Sequence, residues 1–230
     1  MSTSFPQKLL NRNFFLLWQG QLVSQIGSQA FAIAMMFWVK HATGSATLMG
    51  MLMMVSNLPA VILGPIGGTI ADRYSRRRII IFCDFLNGVV VLTLAILIFA
   101  YPSATELILI SLFIVSTLVA VSGAFFRPAI TAAIPDIVPK TKIAAANSLT
   151  QSSIQIATFI GQGAGGVLFR VLGAPVLFLV DGVTYLFSAV SEFFITIPQT
   201  VPEKSPKWQE TLEAFKIPLR VLLMFGKGKG

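Results

Sequence analysis

From Asn13 to Val39 the chain runs without a single charged residue. A bilayer-crossing helix needs about 20 predominantly apolar residues, so this stretch alone is long enough to span. Five more follow. Ala42 to Ala71 is the second, parted from the first by "KHATGS". The third runs from Arg78 to about Ala100 and is interrupted only by Asp84. The fourth, Leu107 to about Ala133, carries Arg127 in its last turns and ends at "IPDIVPKTK". The fifth covers about Ala144 to Phe169, and "RVLGAP" is expected to turn the chain into a sixth, Val176 to Ile197, which holds Asp181 and Glu192. Only 11% of the residues are charged and mean hydropathy is +0.79, against about 25% charged in a soluble domain. The expected fold is an all-α membrane protein: a bundle of six transmembrane helices over residues 13–198. A short segment, 1–12, precedes it, and a polar, basic tail, 199–230, follows.

Lys and Arg are retained on the cytoplasmic side of a membrane, and here they are sharply partitioned. With the N-terminus inside, fourteen of the seventeen fall on the inner side, among them Lys8, Arg12, Arg73, Arg76, Arg77, Arg78, Lys140 and Lys142. Only Lys40 and Arg170 fall outside, and Arg127 lies within a span. Both termini are therefore expected in the cytoplasm of a multi-pass protein of the cell membrane. The net charge of +8 is spread over loops, so it marks topology and argues against nucleic-acid binding. The first span is too long for the apolar core of a cleaved signal and no small-residue cleavage site follows it, so it is expected to stay as an anchor. The single Cys83 and single His41 build neither a disulfide nor a metal site. No phosphate-binding, dinucleotide-binding or nucleophile-elbow pattern appears. No cofactor, metal or enzymatic reaction is expected.

Polar side chains recur at helical spacing on two spans. The first offers Gln21, Gln25, Ser28 and Gln29; the fifth offers Gln151, Gln155, Thr158 and Gln162. Such groups can hydrogen-bond between helices, but eight of them exceed what packing needs. A water-accessible cavity shared by the two spans is expected. Ionisable groups inside a membrane are costly and mark function by default. Asp181 and Glu192 are eleven residues apart, which returns to the same helix face. Two readings stay open: a proton-relay face on the sixth span, or two acids anchoring its ends at the interfaces. Asp84 and Arg127 enter their spans from the same inner side and offer an ion pair.

The stretch "GGTIADRYSRRR" concentrates five of the charges against apolar flanks. It resembles the signature loop of the major facilitator superfamily, G-x-x-x-D-(R/K)-x-G-R-(R/K), with Gly68, Asp72, Arg73, Arg76 and Arg77 in register. Ser75 stands where the family usually has glycine. "GQGAGG" in the fifth span is similar to the G-P-x-x-G-G motif of antiporter branches, with Gln162 in the proline's place; Gly161, Gly163, Gly165 and Gly166 would let helices approach closely. "ATGSATLMG", "FFRPAITAAIPDIVP" and "AAANSLTQSS" look like the branch of drug, macrolide and siderophore exporters. The resemblance spans residues 10–200.

The resemblance implies a secondary transporter built of two six-helix halves, with substrate held between them near the midplane. It implies that the signature loop is a cytoplasmic latch. Asp72 would face the positive N-terminus of a helix in the opposite half, and the arginines would meet acidic groups and lipid phosphates. The expected activity is efflux of small amphipathic molecules or drugs coupled to protons, with membrane lipids as surroundings. The 230 residues supply one half. The tail reads as the start of a linker, with an amphipathic piece at Trp208 to about Phe215 able to lie on the membrane. A truncated transporter, a half that pairs with itself or with a separate partner half, and a non-transporting bundle acting as an assembly or partner subunit are all consistent with that.

Overall fold

The computed structural model describes residues 8–198; the expected tail and its surface helix lie outside the described residues. Five long helices cover nearly all of it: α1 (Arg12–Thr43), α2 (Ala46–Arg73), α3 (Arg76–Ala100), α4 (Thr105–Ile137) and α5 (Ile143–Phe193), with one 3-10 turn at Lys140–Lys142. All five are long and apolar enough to cross a membrane.

The 51 residues of α5 would reach about 76 Å as a straight helix, more than twice the ~30 Å of a hydrocarbon core. They do not run straight. Gly173 sits at φ 76° and ψ 166°, a conformation open to glycine and strained for other residues. The break divides α5 into two arms. Along the first, Gly161, Gly165 and Gly166 lie beside Gln29, Ile33 and Phe37 of α1, so the two run in the same direction. Along the second, Ser188 lies beside Gly20 and Asp181 beside Gly27, so the direction has reversed. The six expected spans are thus present, with the last two joined as a hairpin. The expected six-residue turn shrinks to one glycine, and Pro175 falls in the first turn of the second arm, where its missing N–H costs nothing.

Helix ends follow local chemistry. Asn11 caps α1 by accepting from the Phe14 N–H at 3.1 Å, as an N-cap side chain does. Gly44 ends it at φ 64° and donates to the Lys40 carbonyl, the left-handed stop that glycine favours. Ser45 then caps α2 through the Leu48 N–H.

α1 packs along both arms of α5, α3 packs on α5 and α4, and α2 lies on the outside against α4. Two apolar clusters fill the interior. One gathers Phe14, Leu17, Ile80, Ile130 and Ile134 at the end where α1 starts, and the other gathers Phe31, Met35, Leu94, Leu112 and Phe178 toward the opposite end. Between them lies a buried polar layer: Gln21 and Ser24 of α1, Asp84 and Asn87 of α3, and Asp181, Ser188 and Glu192 of α5. The outer surface carries many large apolar side chains, Val61, Phe159 and Val171 among the most exposed, as a lipid-facing surface requires.

Candidate functional site

The polar layer buries three carboxylates between the helices. Asp84 on α3 and Asp181 and Glu192 on the second arm of α5 are each 1% exposed. Asp181 and Glu192 thus share a buried face, Asp181 inside the second arm and Glu192 one residue from its end. The amide of Gln21 ties the inner pair. Its Nε2 donates to Glu192 Oε1 at 2.9 Å and lies 3.4 Å from Asp84 Oδ2 and 3.4 Å from Ser188 Oγ. Ser188 Oγ also reaches Glu192 Oε1 at 3.4 Å. One amide with two hydrogens thus serves three acceptors, and Glu192 Oε2 is buried with no hydrogen-bond partner among the described residues. Further along the same arm, Ser28 Oγ lies 3.2 Å from Asp181 Oδ1 and 2.9 Å from the Tyr185 hydroxyl.

The spacing explains the alignment. Asp181, Tyr185, Ser188 and Glu192 recur at steps of four, three and four, one stripe of a helix, and Gln21, Ser24 and Ser28 form the answering stripe on α1. Glycines press the two backbones together. A Cβ on Gly27 would stand 2.4 Å from Thr184 Oγ1 and 2.8 Å from Asp181 Oδ1, and one on Gly20 would stand 3.0 Å from Ser188 Oγ. Gly88 and Gly182 do the same between α3 and the second arm, where a Cβ would meet Leu186 and Leu92. Among the described residues Arg76 pairs with Asp72 and Asp136, and no ion pair reaches Asp84, Asp181 or Glu192. Taking a charge out of water costs several kcal/mol unless it is compensated, so these three carboxylates are costly in their charged form.

The eight polar positions expected to share one cavity separate into three groups. Gln21 and Ser28 turn toward the second arm and the carboxylates. Gln25 lines a small cavity of about 10 Å³ with Trp18, Gln21, Thr150 and Ser153, closed by Phe14, Leu17, Ile130 and Ile134; Gln25 Oε1 is buried without a partner among the described residues. Gln29 meets Gln162, whose Nε2 lies 3.3 Å from Gln29 Oε1. Gln151, Gln155 and Gln162 are exposed, and Thr158 donates back to the Ile154 carbonyl at 2.8 Å. Gln155, Thr158 and Gln162 border an open groove of about 510 Å³ with Ile156 and Phe159.

The signature loop contacts α4 and the end of α5. Arg76 Nη1 meets Asp136 Oδ2 at 2.6 Å and the Ala132 carbonyl at 2.9 Å. Its Nη2 is 3.7 Å from Asp72 Oδ1, whose side chain is 74% exposed. Arg77 donates to the Phe193 carbonyl and lies over the Phe193 ring, 5.4 Å from its centroid. Arg73 is half-buried. Ser75 adopts φ −61°, so the turn needs no glycine and the departure from the family pattern carries no strain. Asp136 is the partner of Arg76 that sequence reasoning missed; its signal was an acid in the last turn of α4, in "IPDIVP".

The glycines divide as well. Gly67, outside the motif, is the one pressed on α4: a Cβ there would lie 2.0 Å from the Ala124 carbonyl oxygen. Gly68 and Gly64 have nothing within 4 Å, so with Asp72 they form an open stripe at four-residue steps. Gly161 and Gly165 do pack on α1, with prospective Cβ contacts of 2.3 Å to Gln29 and 3.0 Å to Ile33. Gly166 is in ordinary contact with Phe37, and Gly163 faces open space and packs on nothing. Arg127 is exposed on α4 and forms no ion pair with Asp84; Asp84 is turned to Gln21 instead.

A helical bundle of bilayer-crossing length, with carboxylates buried between its helices, defines a multi-pass membrane protein. The chain belongs to the major facilitator superfamily, whose family model matches residues 17–226. The family is one of membrane transporters, which sets the chain apart from enzymes. It is 27% identical to macrolide efflux protein A of Streptococcus pyogenes over 186 residues, covering 81% of this chain and 45% of that protein. It is 28% identical to a Na+, Li+, K+/H+ antiporter of Planococcus maritimus, covering 71% of this chain and 37% of that one. A crystal structure of a peptide transporter with alafosfalin superposes with a TM-score of 0.70 at 14% identity, covering 96% of this chain and 48% of that one, a likeness of fold. The chain spans less than half the length of these relatives.

Proposed function

We propose that this chain forms one half of a secondary transporter that exports small amphipathic molecules against the inward movement of protons. The buried carboxylate layer is the observation that carries the reading. Three acids at 1% exposure without a basic partner among the described residues would be a large standing cost in a fold with no use for them. A mobile proton offsets that cost and gives the transporter two states of different charge to alternate between. The similarity to a macrolide exporter and to a cation/proton antiporter supports both parts. The open groove on the first arm of α5, with amides, Thr158 and Phe159, has the mixed lining that an amphipathic substrate needs.

Orientation follows from charge. Arg12, Arg73, Arg76, Arg77, Arg78, Lys140 and Lys142 collect at one end of the bundle, which we place in the cytoplasm with both termini. There Gly64, Gly68 and Asp72 form the face that would meet a second six-helix half, supplied by another copy or by a separate segment, and Asp72 would hold the latch. Arg76 and Arg77, engaged with Asp136 and Phe193, keep this half rigid as it rocks. The test is macrolide efflux from cells carrying the complete transporter, beside its assembled mass in detergent. Energy-dependent efflux by an assembly with two such halves supports the reading. A stable monomer without efflux would refute it.

A further inference from the structure

The carboxylate layer is sealed, yet an ion that couples transport must reach it. On the far side of Gln21 from Glu192 lies the small cavity between α1, α4 and the first arm of α5, and Gln21 lines both. Its volume of about 10 Å³ is the room that one water needs, and a buried water needs two to four polar partners. Gln25, Gln21, Thr150 and Ser153 stand around it. Ser153 Oγ is held by Trp18 Nε1 at 2.7 Å and donates to the Leu149 carbonyl, which keeps its remaining lone pair available. Two buried oxygens without partners among the described residues, one on Gln25, which lines the cavity, and Glu192 Oε2 at the acids, mark the two ends of a short polar path. Beyond Thr150, the exposed Gln151 lies at the surface of the same arm.

We propose that this cavity is a single-water site through which protons pass between the polar face of α5 and the Asp84–Glu192 pair, with Gln25 anchoring the water and Gln21 forming the inner gate. This rests on the carboxylate reading above and specifies its route. In the transfer a hydronium at the polar face gives a proton to the bound water, and that water passes one on to a carboxylate oxygen when the Gln21 amide swings aside. One O–H bond breaks as one forms at each step, and nothing is oxidised or reduced. The other ionisable groups around the pair are Cys83 beside Asp84 on α3, Asp181 and Tyr185 on the second arm, and Arg127 on α4; α1 contributes only amides and hydroxyls.

The route is tested on the purified complete transporter by stopped-flow with a pH indicator dye, following proton uptake after a downward pH jump. The double variant Asp84→Asn/Glu192→Gln defines the phase that belongs to the pair. Gln25→Leu is expected to keep the amplitude of that phase and slow it about tenfold, as loss of one anchoring hydrogen bond at the barrier would. Thr150→Leu, which fills the cavity from the other wall, is expected to do the same and serves should Gln25→Leu fail to insert. An unaltered rate in both variants overturns the route and leaves the carboxylate reading standing. A lost amplitude in Gln25→Leu overturns the route too, because it places Gln25 in the binding pair itself. Absence of the phase from the parent protein overturns both.

Discussion

The Gln21 amide nitrogen lies 2.9 Å from Glu192 Oε1, so a polar side chain in the first third of α1 closes over an acid near the end of α5, 171 positions away. The same nitrogen approaches Asp84 of α3, and three helices thereby meet at one amide. Removing it leaves both buried carboxylates with fewer donors. Gln21→Leu is expected to destabilise the bundle by about 1–3 kcal/mol. Thermal unfolding in detergent measures this, and a double-mutant cycle with Glu192→Gln should show coupling between the two.

Gly67 and Gly68 are adjacent and differ completely in surroundings. Gly67→Ala puts a methyl 2.0 Å from the Ala124 carbonyl oxygen, a backbone atom that cannot swing away. A loss of about 1–3 kcal/mol is expected from the overpacking, seen as a lower yield of folded protein. Gly68→Ala meets nothing within 4 Å and is expected to leave stability unchanged while impairing transport by the assembled protein.

Arg76 has two acidic neighbours of unequal weight. Asp136, a quarter exposed and at 2.6 Å, is the strong one; Asp72, at 3.7 Å and 74% exposed, is the weak one. Asp136→Asn should cost about 1–3 kcal/mol, whereas Asp72→Asn should cost well under 1 kcal/mol. The signature of Asp72→Asn is expected in transport, through a shifted balance between inward- and outward-open states, and unfolding measurements on both variants separate the two roles.

Much of this fold was legible because span length is a one-dimensional signal. Apolar runs found every helix, and "RVLGAP" located the hairpin to within a few residues. The site was legible only in part. The stripes on the first and fifth spans were visible, but which face of α1 each glutamine takes depends on how closely Gly20 and Gly27 bring the second arm, a consequence of packing. Asp84 looked like a partner for Arg127 because both lie near the same end; the amide of Gln21 outcompetes it in space. Gly68 carried the motif, yet its neighbour Gly67 carries the contact, since a family pattern does not say which glycine faces its own half.

Topology has its own test. In a Cys83-free background, a cysteine at Ser103 or Ala104 is expected to react with an impermeant reagent added to intact cells, and one at Ser75 or Thr141 is not. Labelling at Ser75 from outside would invert the orientation. In the same assay opened to the cytoplasm, Gln151→Cys and Gln155→Cys should label far faster than Gln21→Cys, which is only 7% exposed.

The central claim is that the buried acids bind the ion whose movement drives transport. In proteoliposomes holding the complete transporter, uphill movement of a labelled macrolide is measured under an imposed proton gradient, beside downhill exchange without one. Asp84→Asn/Glu192→Gln is expected to abolish the uphill component and retain the downhill exchange, because coupling is lost while the cavity and the rocking motion remain. Gradient-driven accumulation that persists in this variant at the parent's level would contradict the account.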